Sequence, residues 1–287
     1  MNTSKESSKG RTGRAEHPAG GSPRAQKKHK PRPRSQPAPG WVGTDESGKG
    51  DYFGPLVIGG VYVSPRTERF LTDLKVRDSK KISDNVIKDM DFQIRSHCIY
   101  SVVVIGPDKY NLLYNKMKNL NKLLAWGHAR VIENILLRVD CKKAISDQFG
   151  SESFIQNALM KLGKQIELKQ TPRAEEDMGV AAGSILARAE FVRRMERLSQ
   201  ECGFELPKGA SENVNQAARM VAEKMGKDAL DRFVKLHFKN TGKVIQDSAP
   251  SEQAAGPEGD SSAPDVGTTG DRGQLSGDTE PRAFPIH

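Results

Sequence analysis

Asp45 and Glu46 stand side by side, immediately ahead of Ser47, Gly48, Lys49, Gly50 and Asp51, a turn of small and flexible residues. A pair of acids beside such a turn could handle phosphate chemistry. The missing side chains of Gly48 and Gly50 let backbone N–H groups approach a phosphate, and Lys49 adds positive charge. The spacing sets a condition: neighbouring side chains of a regular strand point to opposite faces, so both acids serve one site only where the ladder ends and the longer Glu46 curls back. Acidic turns beside strands also occur for structural reasons alone, and both readings stay open on this pattern. Asp147, at the end of KKAISD, likewise reads as a strand-end turn residue unless something else recruits it. His128, between Gly127 and Ala129, reads as a packed or hydrogen-bonded histidine rather than a catalytic one.

Residues 41–240 supply the elements that must position these groups. WVGTDE, LVIGGVYV and IYSVVVIG read as three strands, antiparallel to one another, with room for helices across 64–96. KKAISDQF gives a further strand ending at Asp147, and QIELKQ another. Steps of three and four predict a helix over 121–137 with Leu124, Gly127, Val131 and Ile135 on one face. A second is predicted over 179–199, with Ile185, Ala189, Val192 and Met195 inward and Arg188, Arg193, Arg194 and Arg197 as solvent cover. A third helical region, over 210–238, is interrupted at Gly226 and packs Val214, Val221, Met225 and Leu230 against the sheet. Alternating strands and helices predict an α/β domain.

The flanks differ in composition. Residues 1–40 hold no large apolar residue after Met1 and carry a charge of roughly +8, which marks a basic disordered tail. Residues 241–287 are low in complexity and carry roughly −5, an acidic tail. With +9 overall, the middle is itself basic, near +6 on this rough count, and suits a polyanionic partner. Cys98, Cys141 and Cys202 are far apart and form no CxxC pair, which excludes a zinc knuckle and a disulfide framework and predicts buried thiols in a reducing cytosol. No apolar run is long enough to span a bilayer and no signal-peptide pattern follows the basic start, so a cytoplasmic protein with no membrane partner is expected.

Taken together, GTDESGKGDYFGPLVIGG resembles the signature of the type 2 ribonucleases H, and DYFGPL is similar to the bacterial ribonuclease HIII branch in particular. Five further segments agree in order: RDSKKIS, YNLLYNKMKNLNKLLAWGHA, DQF, AEEDMGVAAGSILARAEF and LPKGAS. The resemblance covers nearly all of residues 41–240. It implies a ribonuclease H-like fold, a central mixed sheet flanked by helices, and an endonuclease that hydrolyses the RNA strand of RNA–DNA hybrids, leaving 5′-phosphate and 3′-hydroxyl ends.

By the same carry-over the catalytic, metal-holding acids would be Asp45, Glu46, Asp147 and Glu175, with Glu176 as the alternative for the fourth. Two Mg2+ or Mn2+ ions are implied, since phosphodiester hydrolysis needs an activated water and a stabilised leaving oxygen, and hard cations prefer oxygen ligands. The 2′-hydroxyl marks every ribonucleotide, and backbone amides at Gly48, Lys49 and Gly50 are the candidates to read it. Ser79, Lys80 and Lys81 are candidates for DNA-strand phosphates, as are Lys208 and Ser211 for the substrate.

Three alternatives remain at this point: ribonuclease HII-like cleavage beside single embedded ribonucleotides, a non-catalytic nucleic-acid-binding protein, and another nuclease or integrase-type enzyme with the same sheet architecture. Ribonucleases HIII carry a folded N-terminal domain similar to the TATA-binding protein, which the residues before Trp41 are too few and too polar to form. The basic tail is expected to take over through salt-sensitive phosphate attraction. A monomer with no obligate protein partner is expected.

Overall fold

A computed structural model describes residues 39–77, 83–151 and 153–247; Ser79, Lys80, Lys81 and nearly all of both expected tails lie outside them. Five strands form one mixed sheet, β1 (Trp41–Ser47), β2 (Leu56–Val63), β3 (Ile99–Ile105), β4 (Lys143–Asp147) and β5 (Glu167–Thr171), in the order β3-β2-β1-β4-β5. The first three are antiparallel neighbours, β1 and β2 joined by a short turn and β2 and β3 by a longer helical segment, while β4 and β5 run parallel to β1 after helical crossovers. Every residue of β2 is buried, which its unbroken apolar run requires of a central strand covered on both faces.

The helices are α1 (Pro65–Asp73), α2 (Asp84–His97), α3 (Pro107–Met117), α4 (Leu120–Leu136), α5 (Ser153–Ala158), α6 (Met178–Cys202), α7 (Glu212–Met225) and α8 (Asn240–Asp247). α4 starts where the Asn119 side chain caps Lys122 N–H at 3.1 Å, and it buries Leu124, Gly127, Val131 and Ile135 on one face of the sheet. α6 covers the other face. Its first turns, Gly179, Val180, Ala181, Ala182 and Gly183, are small, and strand and helix come close enough that a Cβ on Gly43 would lie 2.0 Å from the Gly179 carbonyl carbon.

Two expectations need correction. Three of the four arginines of α6 are not mere solvent cover: Arg188 pairs with Asp84 at 2.9 Å and Arg193 with Asp91 at 2.8 Å, tying α2 to α6, and Arg194 pairs with Glu190 of α6 itself at 2.8 Å, while Arg197 is exposed. The third helical region stops at Met225, where Gly226 takes φ +89°, and only a short 3₁₀ turn at Lys227–Arg232 follows. The chain then extends as a strap, with Val234 bridging antiparallel to Phe53, a pairing across most of the sequence that local periodicity cannot reveal. Among the described residues no helix is long and apolar enough to cross a membrane.

Candidate active site

β1 stays paired with β2 through Asp45↔Gly59, Glu46↔Ile58 and Ser47↔Val57, so the expected end of the ladder at the acid pair does not occur. Regular alternation persists and the two side chains leave the strand on opposite sides, yet at this strand end the Glu46 charge still acts on the Asp45 carboxyl, so the two acids stay within electrostatic reach without the ladder ending.

Glu46 points to the α4 side. His128 Nε2 donates to its Oε2 at 3.2 Å, and His128 Nδ1 lies 2.8 Å from Thr44 Oγ1. The Glu46 carboxylate can only accept, which places a proton on Nε2, while the Thr44 hydroxyl holds the other ring nitrogen. His128 is fully buried beneath Phe149, ring centroids 5.1 Å apart. It is packed, as the sequence suggested, yet it touches a candidate catalytic acid, which the sequence did not disclose. The Lys49 ammonium reaches Glu46 Oε1 at 3.4 Å and sits 5.8 Å from the Phe149 ring centroid. Burial works against the Glu46 carboxylate, but hydrogen bonding and charge from His128 and Lys49 outweigh it and hold the group below its ordinary value.

Asp45 points to the α6 side. It accepts from the Glu46 amide at 2.8 Å and hydrogen-bonds Ser184 of α6, which the glycine contact brings near. Burial first, and the Glu46 charge second, push its carboxyl up to about 7. Asp147 lies on the same face, two residues beyond Ile145, which pairs in register with Gly43. Asp45 and Asp147 thus project together from the C-terminal ends of adjacent parallel strands, the edge of an open α/β sheet where ligands bind. The Ala174 amide donates to Asp147 Oδ1 at 3.2 Å, which draws the 3₁₀ turn Ala174–Glu176 against it.

That turn bears on the fourth acid. Asp177 is committed as the cap of α6, accepting from Gly179 N–H at 2.9 Å, Val180 N–H at 3.1 Å and Trp41 Nε1 at 3.0 Å. Glu176 is exposed and Glu175 half-buried.

Gly48 takes φ +87°, and a Cβ there would lie 2.2 Å from Pro55 O, so the turn itself demands glycine. Gly50 is different: it is exposed, and a Cβ built on it meets nothing within 4 Å. The loop carrying Lys208 is tied to this turn by Gly209 N–H donating to Asp51 Oδ1 at 2.7 Å and Tyr52 N–H donating to Gly209 O at 2.9 Å. Lys208 itself pairs with Asp84 at 2.5 Å, and Ser211 is exposed at the start of α7.

Among the described residues no three His, Cys, Asp or Glu side chains are gathered closely enough to hold a metal ion by themselves. The donor set nonetheless suits a hard cation. All the candidate ligands are carboxylates, and Asp45 is a carboxyl whose ionisation its surroundings disfavour, a deficit that a divalent ion offsets.

Comparison with known proteins agrees. The chain matches the family described as Ribonuclease HII over residues 42–241. It is 45% identical over 204 residues to a ribonuclease HIII of Protochlamydia amoebophila, covering 71% of this chain and 68% of that protein. It is 46% identical over 206 residues to one of Chlamydia pneumoniae, covering 71% and 69%. Among solved structures it resembles Bst-RNase HIII in complex with Mn2+, with TM-score 0.69 and 31% identity over 74% of this chain and 71% of that one. It also resembles Aquifex aeolicus RNase H3, with TM-score 0.57 and 28% identity over 68% and 71%.

Proposed function

The chain belongs to the ribonuclease HII family, with relatives named ribonuclease HIII, and on that premise we infer that it is an endonuclease hydrolysing the RNA strand of RNA–DNA hybrids. The observation that carries this reading to particular residues is the common face of Asp45 and Asp147 at neighbouring strand ends. In the proposal, Asp45, Glu46, Asp147 and Glu175 hold two divalent ions, Mg2+ or Mn2+. When bound, such ions supply an activated water and charge stabilisation for the leaving oxygen. Around them, His128 orients Glu46, Ser184 and the Glu46 amide orient Asp45, and the Ala174 amide orients Asp147. The products expected are 5′-phosphate and 3′-hydroxyl ends.

The catalytic domain is proposed to start at Trp41 and to run past the expected boundary at residue 240 through α8, whose Val244 is buried in the core, with the basic and acidic flanks as tails outside it. The backbone amides of Gly48, Lys49 and Gly50 read the RNA strand, while Ser79, Lys80, Lys81, Lys208 and Ser211 are proposed contacts to the hybrid's backbone. A monomer in the cytoplasm is proposed; buried free thiols at Cys98, Cys141 and Cys202 suit a reducing compartment.

Gly50 offers a sharp test of the turn. The protein itself has no use for the missing side chain there, whereas a nucleic-acid backbone drawn against the turn would. Gly50→Ala is therefore expected to leave Tm unchanged within about 1 °C. The KM for a uniform hybrid should rise roughly tenfold, the worth of about one hydrogen bond. An unchanged KM removes the turn from the binding surface. Running the wild-type protein on a uniform hybrid and on a duplex holding one ribonucleotide tests the activity itself: preferential cleavage of the hybrid supports the reading, and cleavage confined to the single-ribonucleotide duplex replaces it with the ribonuclease HII-like one.

A further inference from the structure

Lys235 is wholly buried in the strap between the 3₁₀ turn Lys227–Arg232 and α8. Its ammonium donates to three backbone carbonyls, Asp51 O at 2.7 Å, Phe53 O at 3.2 Å and Gly54 O at 2.7 Å. The main chain repeats the grip, with Lys235 N–H donating to Tyr52 O and Gly54 N–H donating to Phe233 O, both at 2.9 Å. From behind, Asn111 of α3 donates to the carbonyls of Val234 at 2.9 Å and Asp231 at 3.2 Å and accepts from Leu236 N–H at 2.9 Å.

An ammonium is costly to bury, and an apolar side chain of similar volume would fill the space without that cost. Three donors meeting three carbonyls complement the charged form. Burial draws the amine down to about 7, with the Asp51 charge opposing; carbonyls, which can only accept, favour the ammonium. All three acceptors fall within residues 51–54, so the buried charge specifies the path of one short piece of chain. That piece is the outgoing limb of the turn whose tip is Gly48, Lys49 and Gly50, and whose incoming limb is β1 with Asp45 and Glu46.

We propose that Lys235 is a positioning residue for RNA-strand recognition: it fixes the outgoing limb so that the amides of Gly48, Lys49 and Gly50 keep the geometry that distinguishes an RNA strand from a DNA strand. The proposal rests on the reading of that turn as the contact to the RNA strand. Preorganised donors discriminate because they need not be ordered when the substrate arrives.

The test uses the full chain and two readouts, KM for a labelled uniform RNA–DNA hybrid and Ki for an unlabelled all-DNA duplex of the same sequence as competitor, with Tm alongside. Lys235→Met is expected to raise the hybrid KM about tenfold while Ki stays within about twofold, and Lys235→Arg, which keeps charge and donors, recovers part of the loss. KM and Ki rising together, or an unchanged KM in a folded variant, overturns the proposal. If Lys235→Met does not fold, Asn111→Ala, which frees the strap from behind, takes its place: a rise in KM alone supports the proposal, and a joint rise or an unchanged KM overturns it. Loss of the turn's role shows separately, as a silent Gly50→Ala, and takes this proposal with it; a wild-type protein that does not cut the hybrid overturns the activity instead.

Discussion

The Asp45→Asn variant is expected to lose about a thousandfold in hybrid cleavage, roughly 4 kcal/mol of transition-state stabilisation, while folding at least as well as the wild type. The activity falls because the proposed ion-holding carboxylate is gone. The fold is spared because the asparagine carbonyl still accepts from the Glu46 amide and the Ser184 hydroxyl can turn to accept from the new amide. The pH dependence of stability gives a second readout. In the metal-free protein the Asp45 carboxyl is raised to about 7, so between its unfolded value and about 7 the folded state binds more protons, and wild-type stability falls as pH rises through that window. This penalty is absent below the unfolded carboxyl's range and complete above about 7. The Tm of the variant minus that of the wild type should therefore grow from pH 4 to about 7 and then level off. Cleavage within about tenfold of wild type would remove Asp45 from the site.

Gly43→Ala is expected to have the largest effect on stability. The added methyl would meet the Gly179 carbonyl carbon at 2.0 Å, the Val180 nitrogen at 2.2 Å and the Gly179 Cα at 2.5 Å, all main-chain atoms that no change of rotamer can move. Overpacking costs about 1–3 kcal/mol where side chains can adjust. Here strand and helix must separate, so a loss of more than about 3 kcal/mol, or about 10 °C in Tm, is expected. Separation also withdraws Ser184 from Asp45, so whatever folds should cut slowly. Gly242→Ala in α8, where a Cβ meets nothing within 4 Å, is the control and should be neutral or slightly stabilising. A Gly43→Ala protein as stable as the wild type would show that α6 is not seated on β1 through these glycines.

The central elements were legible because their signals are local. β2 announces itself by eight apolar or glycine residues without interruption, and α4 and α6 by apolar steps of three and four. The acid pair was legible as a candidate but its geometry was not: whether β1 ends at Glu46 depends on pairing with β2, and the ladder runs one residue further. His128 carried no chemical signal in sequence because its partner Glu46 lies 82 residues away. The strap around Lys235 was read as helix for a related reason. Val214, Val221, Met225 and Leu230 suit a helical face, while the pairing that pulls the following chain out to Phe53 spans about 180 residues. The choice between Glu175 and Glu176 is blurred by adjacency, and only in the fold do the two differ, Glu175 half-buried and Glu176 exposed.

For hydrolysis to proceed as proposed, carboxylates from β1, β4 and the segment before α6 must hold divalent ions jointly. Anomalous diffraction from crystals soaked in Mn2+ reads this out at the atoms concerned. A manganese peak in contact with both Asp45 and Asp147, abolished in Asp45→Asn crystals, is the expected result. Manganese bound only elsewhere, in crystals of a protein that cuts the hybrid, would contradict it.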